Sequence, residues 1–159
     1  MILAPYTVAK QNPVARDLLI EHAPDEITWR EIDPADDTAY SRILVDAWAE
    51  PGDLVIVEHD VGIRAGVIDE LLACGQPWCG FEYAIGTQLL VCLGCTRFTS
   101  HLKTSLPGLM STAASIDDSG VKAGDWRRMD VRIAGRLEAL GHRRHVHSPP
   151  VDHMHRYPT

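Results

Sequence analysis

The sequence predicts an α/β fold with a mainly parallel central sheet flanked by helices. Short apolar runs with strand character alternate with segments of helical periodicity, and this alternation is typical of successive β-α-β units. The run 54–57 (LVIV) has no polar alternation, as expected for a strand buried on both faces. Such units imply parallel strands that are joined by right-handed crossovers. The length of 159 residues favours one domain.

Most predicted elements have a start or stop signal in the sequence. Strands are predicted where apolar runs are short, at 2–7, 27–32, 53–57, 78–85 and 87–98. Helices are predicted where apolar residues recur at helical spacing, at 13–22, 38–49, 65–73, 99–106 and 125–140. Asn12 and Pro13 are typical of a helix start, and Gly141 is typical of a helix end. The small, polar and acidic stretch 111–124 predicts a surface loop.

Charge and hydropathy exclude several classes of protein. The net charge of −7 argues against a surface that binds nucleic acid by neutralising phosphates. No apolar run is long enough to span a membrane, and the N-terminus lacks the features of a secretory signal. We therefore expect a cytoplasmic protein that does not interact with membranes.

Four cysteines occur in the middle of the chain, at Cys74, Cys79, Cys92 and Cys95. In the cytoplasm such residues are expected to be thiols, and packing in the core accounts for most of them. Their C-x4-C and C-x2-C spacing also allows a structural zinc site, which is the alternative interpretation.

The first candidate site is Glu58-His59-Asp60, directly after the buried run 54–57. Ligands of α/β proteins bind at the carboxyl ends of the strands, so these side chains are expected to face a crevice. Their carboxylates suit a hard divalent cation such as Mg²⁺ or Mn²⁺. The alternative is a strand that ends in a solvated polar turn.

The second candidate site is the histidine- and proline-rich C-terminal segment. It contains two H-x-H pairs, His145 with His147 and His153 with His155. On an extended backbone, both imidazoles of each pair lie on the same side, which is a usable spacing for a metal. The alternative is a solvated tail without a role.

Two further stretches carry polar groups at the ends of predicted elements. Asp125 is placed as the N-cap of the last helix, and Asp130 lies beside its apolar stripe, where it could act as a general base. Gly94 would let a ligand approach the backbone, and Thr96 and Arg97 could bind a polar substrate or a phosphate. A bulged strand with a surface arginine is the alternative for this second stretch.

Together these residues resemble a very short glycosyltransferase of the GT-A type. The apolar strand that runs into Glu58-His59-Asp60 is similar to the D-x-D-like metal motif of that family. The strand end at 5–7, Asp33 after the second strand, the acidic start of the late helix and the histidine segment support the resemblance. The resemblance looks closer still to small glycosyltransferase-like proteins of actinobacterial bacteriophages.

The resemblance implies a role for each candidate residue. The metal would be bound by Asp60 with support from Glu58, and by a late histidine, with His147 preferred over His145 and His153. The nucleotide sugar would contact Pro5, Tyr6, Thr7, Asp33 and Glu58. The acceptor side would be lined by Gly94, Thr96 and Arg97. The base would be Asp125 or Asp130.

The implied activity is the metal-dependent transfer of a sugar, with inversion, from a nucleotide-diphosphate donor to a hydroxyl acceptor. Mn²⁺ or Mg²⁺ would be the cofactor, residues 1–142 the catalytic domain, and 143–159 the segment that completes its metal and nucleotide site. The acceptor would be a glycan, a small molecule or a hydroxylated base in phage DNA. The location would be the host cytoplasm if the protein is viral. A homodimer is compatible with the small size of the chain. The alternatives are a metal-dependent hydrolase that uses the C-terminal histidines and a zinc-stapled binding module.

Overall fold

A computed structural model of the protein describes residues 1–24, 26–85, 88–90, 93–117 and 120–154. The strands are β1 (Ile2–Tyr6), β2 (Ile27–Glu31), β3 (Leu54–Val57), β4 (Val61–Gly62), β5 (Trp78–Ile85), β6 (Gln88–Leu90), β7 (Cys95–Phe98) and β8 (His145–His153). The helices are α1 (Pro13–His22), α2 (Ala39–Ala49), α3 (Val67–Ala73), α4 (Ser100–Ser105), α5 (Leu109–Ala114) and α6 (Trp126–Ala139). No helix in these ranges is long and apolar enough to cross a lipid bilayer.

The strands form a mixed sheet, in the order β2-β1-β3-β7-β5-β8-β4, with β6 also paired to β5. The prediction of a mainly parallel sheet is therefore wrong. Strands β1, β2 and β3 are parallel to one another, as β-α-β units require. Beyond them, β7 is antiparallel to both β3 and β5, and β6 is antiparallel to β5. The parallel arrangement returns where β8 pairs with β5.

Strand β3 lies at the centre of the sheet and is buried on both faces, as the run 54–57 predicts. Leu54 and Ile56 belong to a core covered by α2, α5 and α6, whereas Val55 and Val57 belong to a second core covered by α1 and α3. Side chains alternate across a strand, so a strand between two helical layers is apolar at every position. This burial fixes where the polar residues after Val57 emerge.

Two predictions for the middle of the chain are wrong in part. Helix α5 occupies the start of the predicted loop 111–124, and it buries Leu109, Met110 and Ala113 in the core. The predicted strand 87–98 is divided into β6 and β7, with a turn at Leu93 and Gly94. This division brings the Gly94 carbonyl to the Glu58 backbone N–H, which donates to it at 2.9 Å.

The C-terminal segment forms β8, an internal strand of the sheet. It pairs in parallel with β5, where Phe81 is opposite His147, and antiparallel with β4, where Val61 is opposite His153. Its Val151 is buried in the second core. The extended backbone predicted for the H-x-H pairs is therefore confirmed for His145 and His147, whereas His155 lies outside the described residues.

Arg97, in β7, is held in a buried network. Its Nε and Nη2 donate to Asp53 Oδ2 at 2.9 and 2.6 Å, and its Nη1 donates to the Cys74 carbonyl at 2.6 Å. The substitution Arg97→Met is expected to lower the free energy of unfolding by about 3 kcal/mol, since it leaves Asp53 without its cation. Urea denaturation measures this loss, with the exposed Arg136→Met as the control. Equal stability of the two variants would contradict a structural role for Arg97.

Candidate functional site

A cavity of about 470 Å³ opens where the parallel strands β1, β2 and β3 reach their carboxyl ends. This is the edge of an α/β sheet at which ligands bind. Helix α2, the start of α6 and the end of β8 complete its walls. The lining residues are Pro5, Thr7, Lys10, Ile32, Asp33, Pro34, Asp36, Asp37, Tyr40, Glu58, His59, Asp60, Tyr83, Leu93, Trp126, Arg127, Asp130 and His153.

The cavity contains a contact between Asp60 and the C-terminal strand. His153 Nε2 lies 3.3 Å from Asp60 Oδ2, and Asp60 is only 7% exposed. The Met154 backbone N–H donates to the Asp60 carbonyl at 2.6 Å, and Asn12 Nδ2 donates to the Met154 carbonyl at 2.7 Å. Asn12 also donates from its backbone to the His59 carbonyl at 3.2 Å. These bonds fasten the end of β8 against the loop that carries Asp60.

His153, rather than the preferred His147, is the histidine that contacts Asp60. The register of β8 explains this placement, since His153 is opposite Val61, the residue that follows Asp60. His147 is opposite Phe81 in β5 and stacks on its ring, with a centroid distance of 5.0 Å. His145 is exposed and packs edge-on against His147. Neither His145 nor His147 is among the described residues that line the cavity.

Glu58 is held by a tyrosine and by the turn before β7. The Tyr40 hydroxyl donates to Glu58 Oε1 at 2.6 Å. A Cβ atom at Gly94 would lie 3.1 Å from Glu58 Oε2 and 2.9 Å from a ring carbon of Tyr83. Glycine at this position therefore provides the space in which the Glu58 carboxylate and the Tyr83 ring pack. This is a structural reason for Gly94 that does not require an acceptor.

The carboxylates of the cavity are electrostatically coupled. Burial, together with the negative charges of Asp60 and Asp130, raises the pKa of Glu58 to about 7, against the opposing effect of the Tyr40 hydrogen bond. Burial and the Glu58 charge also raise the pKa of Tyr40 well above its ordinary value. The folded protein therefore concentrates more negative charge at this point than the site can hold without cost, and a bound cation would offset that charge.

Stability is expected to depend on pH through Glu58. Its folded pKa of about 7 exceeds the ordinary value of 4.5, so the folded state binds more protons than the unfolded state between these values. The free energy of unfolding of the metal-free protein should therefore fall as pH rises through this window, by up to about 3 kcal/mol. Glu58→Gln should remove this part of the fall. Urea denaturation from about pH 5 to about pH 8 compares the two proteins.

Exposed Glu138 provides the control for this measurement, because Glu138→Gln removes a carboxylate that lies on the outer face of α6. Other groups titrate in the same pH range, so the difference between each variant and the unsubstituted protein is the informative quantity. A pH dependence of Glu58→Gln that equals that of the unsubstituted protein would show that Glu58 is not the group responsible.

The two acids of the late helix have different environments. Asp125 caps α6, with its Oδ1 accepting from the Arg127 backbone N–H at 2.9 Å and its Oδ2 at 2.8 Å from Arg127 Nη1. Its carboxylate is thus occupied by the helix start. Asp130, one turn further on, lines the cavity and lies close enough to Glu58 to raise its pKa.

The residues predicted to contact substrates are partly brought together. Pro5, Thr7 and Asp33 line the cavity, whereas Tyr6 packs edge-on against Trp29 at 6.1 Å. The residues predicted for the acceptor side are not among the described lining residues, since Thr96 is fully buried beneath Arg144, which donates to its hydroxyl. Arg97 is bound to Asp53, and Gly94 lies behind Glu58.

Sequence reasoning missed several residues of the cavity. The helical spacing of 125–140 places Trp126 on the apolar stripe of the helix, yet its side chain is 47% exposed and lines the cavity with the Arg127 guanidinium 5.0 Å from its ring. Its position at the first turn of the helix, beside the N-cap, was the signal in the sequence for this exposure. The spacing of 38–49 places Tyr40 on the apolar face of its helix, where the structure buries it, but its hydroxyl contact with Glu58 depends on tertiary structure alone.

Comparison with known proteins finds similarity of fold to solved structures. No protein-family model and no curated protein sequence matches the chain significantly. A glycosyltransferase involved in the glycosylation of the major capsid of PBCV-1 superposes with a TM-score of 0.59 at 12% identity, covering 96% of this chain and 93% of the other. A CMP:2-keto-3-deoxy-manno-octonic acid synthetase in complex with CTP gives a TM-score of 0.56 at 12% identity, with coverages of 94% and 89%.

A third solved structure, A197 from STIV, superposes with a TM-score of 0.52 at 12% identity and covers 92% of this chain and 81% of its own. At this level of identity the likeness concerns the fold. The closer resemblance to proteins of actinobacterial bacteriophages stays a prediction. The chain therefore has a mixed α/β fold, a sheet flanked by helices, that is similar to the folds of the glycosyltransferase involved in PBCV-1 capsid glycosylation and of the CMP:2-keto-3-deoxy-manno-octonic acid synthetase.

Proposed function

We propose that this protein is a metal-dependent glycosyltransferase that moves a sugar from a nucleotide-diphosphate donor to a hydroxyl acceptor. The observation that carries the proposal is the cavity itself, where Asp60 and His153 are in contact and Asp130 lines the same space. The likeness of fold to a glycosyltransferase and to a CMP-sugar synthetase supports it.

The residues at the carboxyl end of β3 fit a divalent cation. Asp60 offers a carboxylate and His153 an imidazole nitrogen 3.3 Å away, and Glu58 adds a second carboxylate. Mixed oxygen and nitrogen donors suit Mn²⁺, and carboxylates suit Mg²⁺. When bound, the cation would offset the charge that grows on the diphosphate leaving group. The segment 143–159 would then complete the site through His153.

The remaining walls provide groups for a nucleotide sugar. The cavity of about 470 Å³ lies within the range of small-molecule sites. Pro5, Thr7 and Asp33 would contact the nucleoside at the ends of β1 and β2. The exposed face of Trp126 offers a flat surface on which a base or a sugar ring can stack. Lys10 at the same cavity carries a positive charge that can pair with a phosphate.

Asp130 would act on the acceptor. In a single displacement the acceptor oxygen forms a bond to the anomeric carbon, the bond from that carbon to the diphosphate oxygen breaks, and Asp130 takes the acceptor proton. Attack opposite the leaving group inverts the configuration of the sugar carbon. Asp130 suits this role better than Asp125, whose carboxylate is bound to the start of α6.

Thermal unfolding with nucleoside diphosphates and their sugars, with and without Mn²⁺, tests the proposal. A bound ligand stabilises the native state, so an increase in Tm that requires both nucleotide and metal is the expected result. Release of nucleoside diphosphate with a hydroxyl acceptor would confirm transfer. Stabilisation by CTP with pyrophosphate release would instead indicate nucleotide transfer, and donor cleavage without an acceptor would indicate a hydrolase. Either result, or no stabilisation at all, would overturn the proposal.

A further inference from the structure

A second group of metal-binding side chains lies away from the cavity. A thiol of Cys74, a thiol of Cys79 and an imidazole nitrogen of His147 all lie within 4.8 Å of one another. Cys74 follows the last residue of α3, Cys79 is in β5, and His147 is in β8. The three residues thus come from three elements that tertiary structure brings together. None of them is among the described residues that line the cavity.

His147 contributes an unsatisfied polar atom to this group. Its Nε2 is buried and has no hydrogen-bond partner within the part of the chain that the structure describes. Burial of a nitrogen without a partner has a free-energy cost, so such atoms in native proteins call for an explanation. The ring is held in place by stacking on Phe81 at 5.0 Å and by an edge contact with His145 at 4.7 Å. A metal bound to this nitrogen would satisfy it.

The backbone that carries the two thiols is also fixed. The Cys74 N–H donates to the Leu71 carbonyl at 3.2 Å, and the Cys74 carbonyl accepts from Arg97 Nη1 at 2.6 Å. Cys79 is buried in the second core, with its Sγ 3.8 Å from the Leu71 carbonyl. The ligand atoms therefore approach each other on well-held segments, which lowers the ordering that metal binding requires.

Two other roles for these thiols are less consistent with the surroundings. Burial and the neighbouring Cys74 raise the pKa of Cys79 to about 12, whereas a reactive cysteine has a lowered pKa and an exposed sulfur. A Cys74–Cys79 disulfide would leave the buried nitrogen of His147 unexplained. Two sulfurs and one imidazole are, by contrast, a ligand set typical of Zn²⁺.

We infer that Cys74, Cys79 and His147 form a zinc site, with the fourth position taken by water or by the exposed His145. Zinc at this point would join the end of α3 and the start of β5 to β8, the strand that brings His153 to the cavity. Both thiols would release their protons on binding, so affinity would increase with pH. The zinc site uses none of the residues of the proposed nucleotide site. Each proposal can therefore be tested, and rejected, independently of the other.

Zinc content and cobalt substitution test the inference on the full chain. The reduced, chelator-treated Asp60→Asn protein, which lacks a ligand of the cation proposed for the cavity, is expected to bind one equivalent of Zn²⁺ and to unfold at a higher temperature when it is bound. Co²⁺ in its place is expected to give thiolate-to-cobalt charge-transfer absorption and the visible bands of tetrahedral coordination. In this Asp60→Asn background, Cys74→Ser and His147→Gln should lose stoichiometric zinc binding. Cys95→Ser, which removes another buried thiol, should retain it in the same background.

A cobalt complex without thiolate absorption, or zinc binding that survives both Cys74→Ser and His147→Gln in the Asp60→Asn background, would overturn the inference. So would a freshly purified protein in which mass spectrometry finds Cys74 and Cys79 linked to each other. If either variant fails to fold, alkylation of the unsubstituted protein decides. Bound zinc should then slow the modification of Cys74 at least about tenfold, and equal rates with and without zinc would reject the site.

Discussion

Asp60→Asn is expected to abolish Mn²⁺-dependent binding of a uridine or guanosine diphosphate sugar. The substitution keeps the shape of the side chain and the backbone bond from Met154, but it removes the charge beside His153. Loss of groups that only orient metal ligands weakens binding by about 10- to 100-fold, so loss of a ligand should reach at least about 100-fold. Isothermal titration calorimetry with and without Mn²⁺ measures the effect.

Asp152→Asn is the matched control for Asp60→Asn. Asp152 lies next to His153 on β8 but is exposed, and it is not among the described residues that line the cavity. Asp152→Asn removes one negative charge from a neighbouring position without removing a cavity residue, so it reports the general effect of a lost charge on the binding of an anionic donor. Unchanged metal-dependent affinity in Asp60→Asn, or an equal loss in Asp152→Asn, would reject Asp60 as a metal ligand.

Asp130→Asn is expected to lower kcat by about 10²- to 10⁴-fold while donor binding is unchanged, since an amide cannot accept the acceptor proton. Asp130 lines the cavity and is not the N-cap of α6, so the fold should tolerate the change. Initial rates of nucleoside diphosphate release at saturating donor and acceptor give kcat. Calorimetry on the same variant shows whether the donor still binds.

Asp125→Asn separates the two acids of α6. It keeps an N-cap side chain but weakens the pairing with Arg127, so we expect a loss of stability of no more than about 1 kcal/mol and a retained kcat. A full kcat in Asp130→Asn, or a larger loss in Asp125→Asn, would show that the base has been assigned to the wrong acid.

The first half of the fold could be predicted because its elements are local and amphipathic. Asn12 caps α1 through bonds to Val14 and Ala15 at 2.9 and 3.3 Å, as the N-cap signal indicates. The run 54–57 identifies the central strand because every residue in it is apolar. These signals depend on neighbours in the sequence, and such neighbours stay neighbours in the structure.

The second half depended on contacts that periodicity does not encode. Alternation identifies a strand but not its direction, so β7 could not be recognised as antiparallel to β3. Helix α5 is built from small residues around Leu109 and Met110, and it has too few apolar positions to be distinguished from a loop. Its helical state is consistent with packing against α2 and α6 rather than with its own propensity.

The sequence predicts the position and the chemical type of the candidate site, but not all of the residues that line it. Polar residues that follow a buried strand emerge at the ligand-binding edge, and on this basis Glu58 and Asp60 could be chosen. The choice among the late histidines depended on the register of β8, which includes an irregularity opposite Phe81 to Tyr83. The spacing of residues in the sequence does not indicate such a shift in strand register. The contact of Asp60 with His153, rather than with His147, could therefore not be predicted in advance.

The position of β8 has a consequence for synthesis of the protein. Its partner β5 is translated long before it, and until 145–153 leave the ribosome, the edge of β5 from Cys79 to Tyr83 lacks the strand that finally covers it. Exposed strand edges are templates for pairing with other chains. Until β8 inserts beside it, this part of β5 therefore has an open edge at which another chain could pair. That same insertion delivers His153 to Asp60, so a chain that has completed its sheet has also completed its cavity.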